Sequence, residues 1–345
     1  MPCRPNTPAA AGRFSDGTES RIMNRNLYKI IFNPHRNSLM AVPETASAAG
    51  RSAGRRTSRR SPRMPNLRLC TAAFFTSAAL GSAGFAAAAD ICTDRSAAAH
   101  EQATVLLSAN GLPQANIQTP NGAGVSLNRF SRFDVDGRGA LFNNSRTDVQ
   151  TQLGGWIQGN PWLARGEARV IVNQIESANP SLLNGYIEVG GRRAEAVMAN
   201  PAGISVSGGF INAAGVTLAG GRPVWKDGAI DGFAHSGGIR IGGAGLDTAD
   251  ADCTRILARG VQTDAGIWAK NLTVAAGSRT DAAGGRVGDS TVPSGYTAID
   301  TGRLGGMYAD KITLLSHEKG AVIRNAGQLF ARAGNVSVKR RRLDR

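Results

Sequence analysis

Two carboxylates at alternate positions, Asp134 and Asp136 in "FDVDGRG", are the best candidates in this chain for acid/base or calcium chemistry. On an extended strand alternate side chains point to one face, so the pair could share a proton or a cation. The segment brushes against a calcium-loop pattern but lacks the further oxygen ligands and terminal Glu of an EF-hand. His35, His100, His235 and His317 are scattered, without the close pairing or cysteine companions that zinc requires. Past residue 90 only Cys92 and Cys253 remain, and in an oxidising compartment a bridge and two free thiols fit equally well. There is no Cys-x-x-Cys, no phosphate-cradling Gly-Lys-Ser/Thr loop and no helix-borne His-Glu pair. The Gly-rich "GGIRIGGAG" (Gly237 to Gly245) has the look of a dinucleotide loop, but no helix follows it, and it reads as a corner between strands. No catalytic residue, metal or cofactor is expected.

The elements that would position any site divide the chain unevenly. Lys and Arg number 40 against 25 Asp and Glu, a net of +15. Residues 1–89 hold 13 bases and 3 acids, and "KRRRLDR" (Lys339 to Arg345) holds 5 and 1, which leaves 22 against 21 for residues 90–338. The body is nearly neutral. A nucleic-acid binder would carry its basic stripe on the folded body, so a nucleic-acid partner is not expected.

The basic first part is laid out for export. Residues 52–89 read as a Sec signal peptide: "RSAGRRTSRRSPRMPNLRLC" (Arg51 to Cys70) is the charged segment, "TAAFFTSAALGSAGF" (Thr71 to Phe85) is the apolar segment, and "AAAAD" (Ala86 to Asp90) offers a cleavage point between Ala89 and Asp90. The alternative is a membrane anchor, but the apolar run is shorter than the ~20 residues a spanning helix needs. Ahead of it, "MNRNLYKIIFNPHRNSLMAVPETASAAGR" (Met23 to Arg51) resembles the extended signal-peptide region of very large Gram-negative exoproteins and autotransporters. That resemblance makes Met23 the expected start and residues 1–22 an over-called leader.

From Ala103 onward, short β-prone runs are separated by Gly, Asn, Asp and Ser, with no long amphipathic helix between them. "RVIVNQI" (Arg169 to Ile175), "AEAVMA" (Ala194 to Ala199), "GVTLAG" (Gly215 to Gly220) and "GIRIGG" (Gly238 to Gly243) are the clearest. "GIWAKNLTV", "GMYADKITL" and "QLFARAGNVSV" repeat one order of residue types, with their leads Ile267, Met307 and Leu329 spaced 40 and 22 apart. These intervals predict two turns and one turn of a coil with ~20 residues per turn, a single-stranded parallel β-helix. Ile, Met and Leu would stack inside it, as would Trp268, Tyr308 and Phe330.

Within this pattern "AVMANPAGISV" is a corner. Pro201 suits the first central position of a turn, Gly203 accepts positive φ, and Asn200 can bond backbone two residues on.

The segment Asn116 to Val338 resembles the secretion domain of two-partner-secretion exoproteins, the filamentous-haemagglutinin and haemolysin/contact-inhibition group. The blocks that carry the resemblance are "TPNGAGVSLNRFSRFDVDGRGALFNNS", "GNPWLARGEARVIVNQI", "LLNGYIEVGGRRAEAVMANPAGI" and "GGFINAAGVTLAGGRP". The family's hallmark turns, Asn-Pro-Asn-Leu and Asn-Pro-Asn-Gly-Ile, have counterparts in Asn160-Pro161-Trp162-Leu163 and Asn200-Pro201-Ala202-Gly203-Ile204. Both depart at the third position. At Ala202 a turn bond worth about 0.5–1.5 kcal/mol is lost if that residue only caps the corner, and partner recognition weakens if it makes contact there. Trp162 is either an interface anchor or, in the favoured reading, a buried cap over the first coil.

The resemblance implies a right-handed parallel β-helix over residues 116–338, the TPS or haemagglutination activity domain, with an N-terminal cap at 90–115. It implies the Sec translocon and a TpsB-type outer-membrane β-barrel with periplasmic POTRA domains as partners, and export to the surface or medium of a Gram-negative cell. A secreted adhesin or haemagglutinin-like exoprotein, touching host cells or neighbouring bacteria, is the first reading of the whole. A contact-dependent growth inhibition toxin or haemolysin is the alternative. A β-helical polysaccharide-degrading enzyme using Asp134 and Asp136 stands behind both. The basic stretch 339–345 reads as the end of a shortened copy whose last coil leaves an open edge.

Overall fold

The computed structural model describes residues 28–33, 38–43, 89–287 and 291–341. Two units are distinct, residues 1–78 and 79–345. In the first, Tyr28–Asn33 pairs antiparallel with Ser38–Pro43, with Tyr28 opposite Pro43. The expected leader at 1–22, the charged and apolar signal segments up to residue 88, and residues 342–345 of the tail lie outside the described residues.

In the second unit the short runs named above become strands that pair in parallel with the next copy along the chain, rung upon rung. This is a parallel β-helix with three faces. On the first face Val125–Phe130, Val170–Ile175, Ala194–Ala199 and Ala213–Ala219 lie in register, followed by residues 253–258, 271–276, Lys311–Ser316 and Val336–Arg340. The second face stacks Ser181–Leu183, residues 204–206, 239–241, Val261–Thr263, Thr297–Thr301 and Val322–Asn325. The third stacks Pro113–Asn116, Ala140–Asn144, Tyr186–Gly191 and residues 209–211, 246–248 and 266–268, and ends with Gly306–Ala309 and Gln328–Ala331. Among the described residues the only helices are two three-residue 3₁₀ turns, Ala99–Glu101 and Pro161–Leu163.

Burial follows the strand alternation. Ile171, Ala196, Val216, Thr254, Leu272 and Ile312 form one inward column, and Leu246, Ile267 and Met307 form another, all essentially inaccessible to solvent. No single rung could cover such a strip of aliphatic surface, and each neighbour supplies the cover. At the N-terminal end Phe130, Phe133 and Phe142 close the core, with ring centroids 5.0 and 5.6 Å apart. The cap is antiparallel: Asp90–Thr93 runs along Val125–Asp134, and Thr104–Leu107 runs along Pro113–Asn116.

Two expectations change. Ile267 pairs directly with Met307, so the interval of 40 residues is one turn with an insertion and not two turns. The insertion, residues 277–296, carries the strand Arg279–Asp281, which joins the hairpin Gly221–Lys226/Ala229–His235 in a separate antiparallel sheet. That sheet packs on outward-facing first-face residues, with Phe233 buried against Val125, Val172 and Val197. The second change concerns Trp268, Tyr308 and Phe330, which stack outside and not inside, because their neighbours Ile267, Met307 and Leu329 take the inward side. The last strand runs on to Arg340, so Lys339 and Arg340 of the basic stretch are paired residues opposite Leu315 and Ser316.

Candidate functional site: two asparagine corners

The two Asn-Pro turns are built alike. Asn160 is buried; its Oδ1 accepts the Trp162 amide at 3.0 Å, and its Nδ2 donates to the carbonyls of Ile117 at 2.9 Å and Asn143 at 3.0 Å. Asn200 is also buried; its Oδ1 accepts the Ala202 amide at 2.9 Å, and its Nδ2 donates to the Asn179 carbonyl at 3.1 Å and Ser181 Oγ at 3.0 Å. Each asparagine thus replaces backbone pairing that the bend removes. The turns close with Leu163 N on Asn160 O at 3.1 Å and Gly203 N on Asn200 O at 3.0 Å.

Conformation dictates the remaining residue types. Gly203 has φ +110°, and a Cβ there would stand 2.6 Å from the Gly238 carbonyl oxygen of the next rung. Only glycine fits without a backbone shift. Leu163 and Ile204 point into the core, while Pro161 is exposed and Pro201 half-buried. Trp162 is 44% exposed and so is not a buried cap; it leans on the N-terminal cap through its indole N–H, which donates to Thr104 Oγ1 at 3.1 Å. Ala202 is half-buried, and the Oδ1 bond of Asn200 holds its amide without help from its side chain.

The corners sit on different edges of the solenoid. Asn160 lies where the chain returns from the third face to the first, and Asn200 lies where it leaves the first face for the second. Each borders an open groove. One of about 460 Å³ is lined by Asn160, Pro161, Leu163 and Arg146, and one of about 490 Å³ by Ile204, Ser205, Pro180 and Arg240.

The carboxylate pair is committed elsewhere. Asp134 accepts Arg132 Nε at 2.7 Å and the Leu182 amide at 2.9 Å, which ties one rung to the next. Asp136 accepts the amide and Nε of Arg138 at 2.9 and 3.1 Å. Burial opposes its ionisation, but those hydrogen bonds outweigh burial and hold its carboxyl below the usual range. No cluster of three or more metal-ligating side chains occurs among the described residues, and Cys92 and Cys253 are free thiols. Gly243 and Gly245, in the segment that looked like a dinucleotide loop, take φ of +56° and +85° within the bend between the second and third faces.

Sequence reasoning missed Glu188. Its buried carboxylate faces outward from the third face and accepts the amides of Gln152 and Leu153 at 2.8 and 2.7 Å, pinning the hairpin Val149–Thr151/Gly155–Ile157 that precedes the first corner. An acid between inward-facing Ile187 and Val189 was the only local signal, and it looks like any solvated strand position.

The profile of the TPS secretion domain matches residues 89–341, and that of the extended signal peptide of type V secretion systems matches residues 23–73. The chain belongs to the TPS secretion domain family. It is 45% identical over 324 residues to a protein named Toxin CdiA from Yersinia pestis and 40% identical over 332 residues to tRNA nuclease CdiA-2 from Burkholderia pseudomallei. In both cases the match takes in 92% of this chain and 10% of the relative. The crystal structure of the filamentous hemagglutinin secretion domain superposes with a TM-score of 0.60 at 27% identity, covering 72% of this chain and 99% of that one. The TPS domain described here is therefore the secretion domain of a large-exoprotein family and not an enzyme. Its signal and domain together indicate passage through the periplasm to the surface or medium of a Gram-negative cell.

Proposed function

We propose that the corners Asn160-Pro161-Trp162-Leu163 and Asn200-Pro201-Ala202-Gly203-Ile204 are what a cognate TpsB-type outer-membrane transporter reads through its periplasmic POTRA domains. In this reading the Sec translocon delivers the chain, a peptidase cuts between Ala89 and Asp90, residues 90–115 cap the helix, and residues 116–338 fold outside the cell. The observation that carries it is the shared construction. In both corners a buried asparagine sets the bend by holding the amide of the third residue, and other residues of the turn, Pro161 and Leu163 in one and Ile204 in the other, line an open groove. The transporter would meet the chain before the solenoid is complete, when the strands that follow or flank the corners, Val170–Ile175, Ala194–Ala199 and Ile204–Ile211, are free to add to a partner's sheet edge and the asparagines set where each strand breaks.

The test is export with the transporter co-expressed. Asn160→Ala and Asn200→Ala should accumulate in the periplasm and fall in the medium, while Trp156→Ala, on the neighbouring hairpin, should be exported normally. Normal export of both asparagine variants contradicts the reading. For the whole exoprotein, the names of the relatives favour the contact-dependent toxin over the adhesin, since the chain spans a tenth of proteins called toxins and nucleases. A growth-competition assay against cells lacking a cognate immunity protein separates the two, because only the toxin lowers target survival.

A further inference from the structure

The outward column of the third face holds four aromatic residues in strand register: Tyr186, then across Gly209 and Asp247 to Trp268, Tyr308 and Phe330. Glycines make room for the rings against the sheet. A Cβ at Gly266 would come within 2.5 to 3.1 Å of the Trp268 atoms Cη2, Cζ2 and Cζ3, and one at Gly306 within 2.7 to 2.9 Å of Tyr308 Cε2, Oη and Cζ. The two rings therefore lie over the strands that carry them, with planes 14° apart and centroids 6.2 Å apart. Trp268 remains 42% exposed and Phe330 57% exposed. They floor a groove of about 350 Å³ whose rim carries Lys270, Asp310 and Arg332.

Folding alone does not call for this pavement, since the inward column beneath it is already sealed. Two near-parallel rings 6.2 Å apart, with Phe330 in register on the following rung, suit a ligand that is itself a row of flat, partly apolar units. Sugar rings in an extended glycan present C–H groups to the electron-rich ring face and hydroxyls to the sides. The rim supplies hydroxyl partners in Arg332, Asp310 and Lys270. It is charge-balanced: Arg332 pairs with Asp310 at 2.8 Å, and Lys270 with Asp252 at 3.4 Å. A neutral rim has no excess of cations to attract an acidic polymer. We propose that this column is a binding platform for an extended, uncharged glycan running along the solenoid axis, stacked on Trp268, Tyr308 and Phe330.

The platform stands apart from both asparagine corners, and its test needs no transporter. Cellohexaose and chitohexaose are titrated into the purified protein by calorimetry, with tryptophan fluorescence read in parallel. At least one should bind, and Trp268→Ala should weaken it about tenfold or more, while Trp156→Ala, on the far hairpin, leaves it unchanged. Phe330→Ser, at an exposed position of the last rung, should also weaken binding while keeping the β-sheet circular dichroism of the parent, so a loss at Trp268 through misfolding is told apart. The proposal is overturned if neither sugar binds a folded sample at millimolar concentration, or if both variants bind as the parent does. It is equally overturned if heparin binds and the neutral sugars do not, or if the patch instead drives self-association that Trp268→Ala abolishes.

Discussion

His235 shows how a single buried group sets a pH limit on this fold. Its Nε2 meets Thr280 Oγ1 at 2.9 Å, its Nδ1 is buried without a partner, and Phe233 stacks on its ring. Burial, with a lesser contribution from His317, pushes its pKa down from 6.5 to about 4. The unfolded chain therefore takes up a proton near pH 6.5 that the folded chain refuses until about pH 4. Stability is full above the first value and falls through that window, by at most about 3 kcal/mol from this group. Urea midpoints at pH 7 and pH 4.5 should separate widely for the parent and less for His235→Gln; equal separations would remove His235 from the account. At the second corner, Gly203→Ala places a Cβ against the Gly238 carbonyl at positive φ and should cost about 1–3 kcal/mol in the same measurement. Gly203 and Asn200 were legible because turn chemistry is local. Glu188 was not, since the amides it holds lie 35 and 36 residues away in sequence and nothing near it marks the pairing.

Among the elements, the separate sheet of residues 221–235 and 279–281 is the least expected and the most exposed to test. Phe233 is its anchor, buried with Val125, Val172 and Val197 between that sheet and the first face. Phe233→Ala should cost about 3–5 kcal/mol, seen as a lower calorimetric midpoint, and should open the Asp227–Gly228 turn to protease before the solenoid itself. Simultaneous loss of both would mean that the sheet is not a separate layer. Strands such as Val170–Ile175 and Ala194–Ala199 were readable as short apolar runs bounded by Gly, Asn and Ser, and they fall where the sequence put them. The step from Ile267 to Met307 was misread because an insertion between faces lengthens an interval as a whole turn would. Trp268 was placed on the wrong side although it adjoins Ile267, and adjacent residues of a strand cannot both face the core. Pairing between residues 221–235 and 279–281 leaves no periodic trace.

For the whole molecule, the fold and the route of the chain belong together. Each rung offers its edge to the next, so in the proposed route a chain emerging through the transporter would add rungs in order, and the growing helix would bias movement outward. The near-neutral body, preceded by a basic segment within residues 1–89, matches a passenger whose N-terminal charge serves targeting. The all-β class and the corners were legible because the solenoid repeats a short, local pattern. The outer sheet and the hairpin over Glu188 were not, because each is fixed by long-range contacts that do not repeat along the chain. The most direct measurement is secretion of the chain in a Gram-negative host with and without a cognate outer-membrane transporter. The account predicts processed protein in the medium or on the surface only when the transporter is present, and periplasmic accumulation without it. Equal appearance outside the cell in both strains would contradict it.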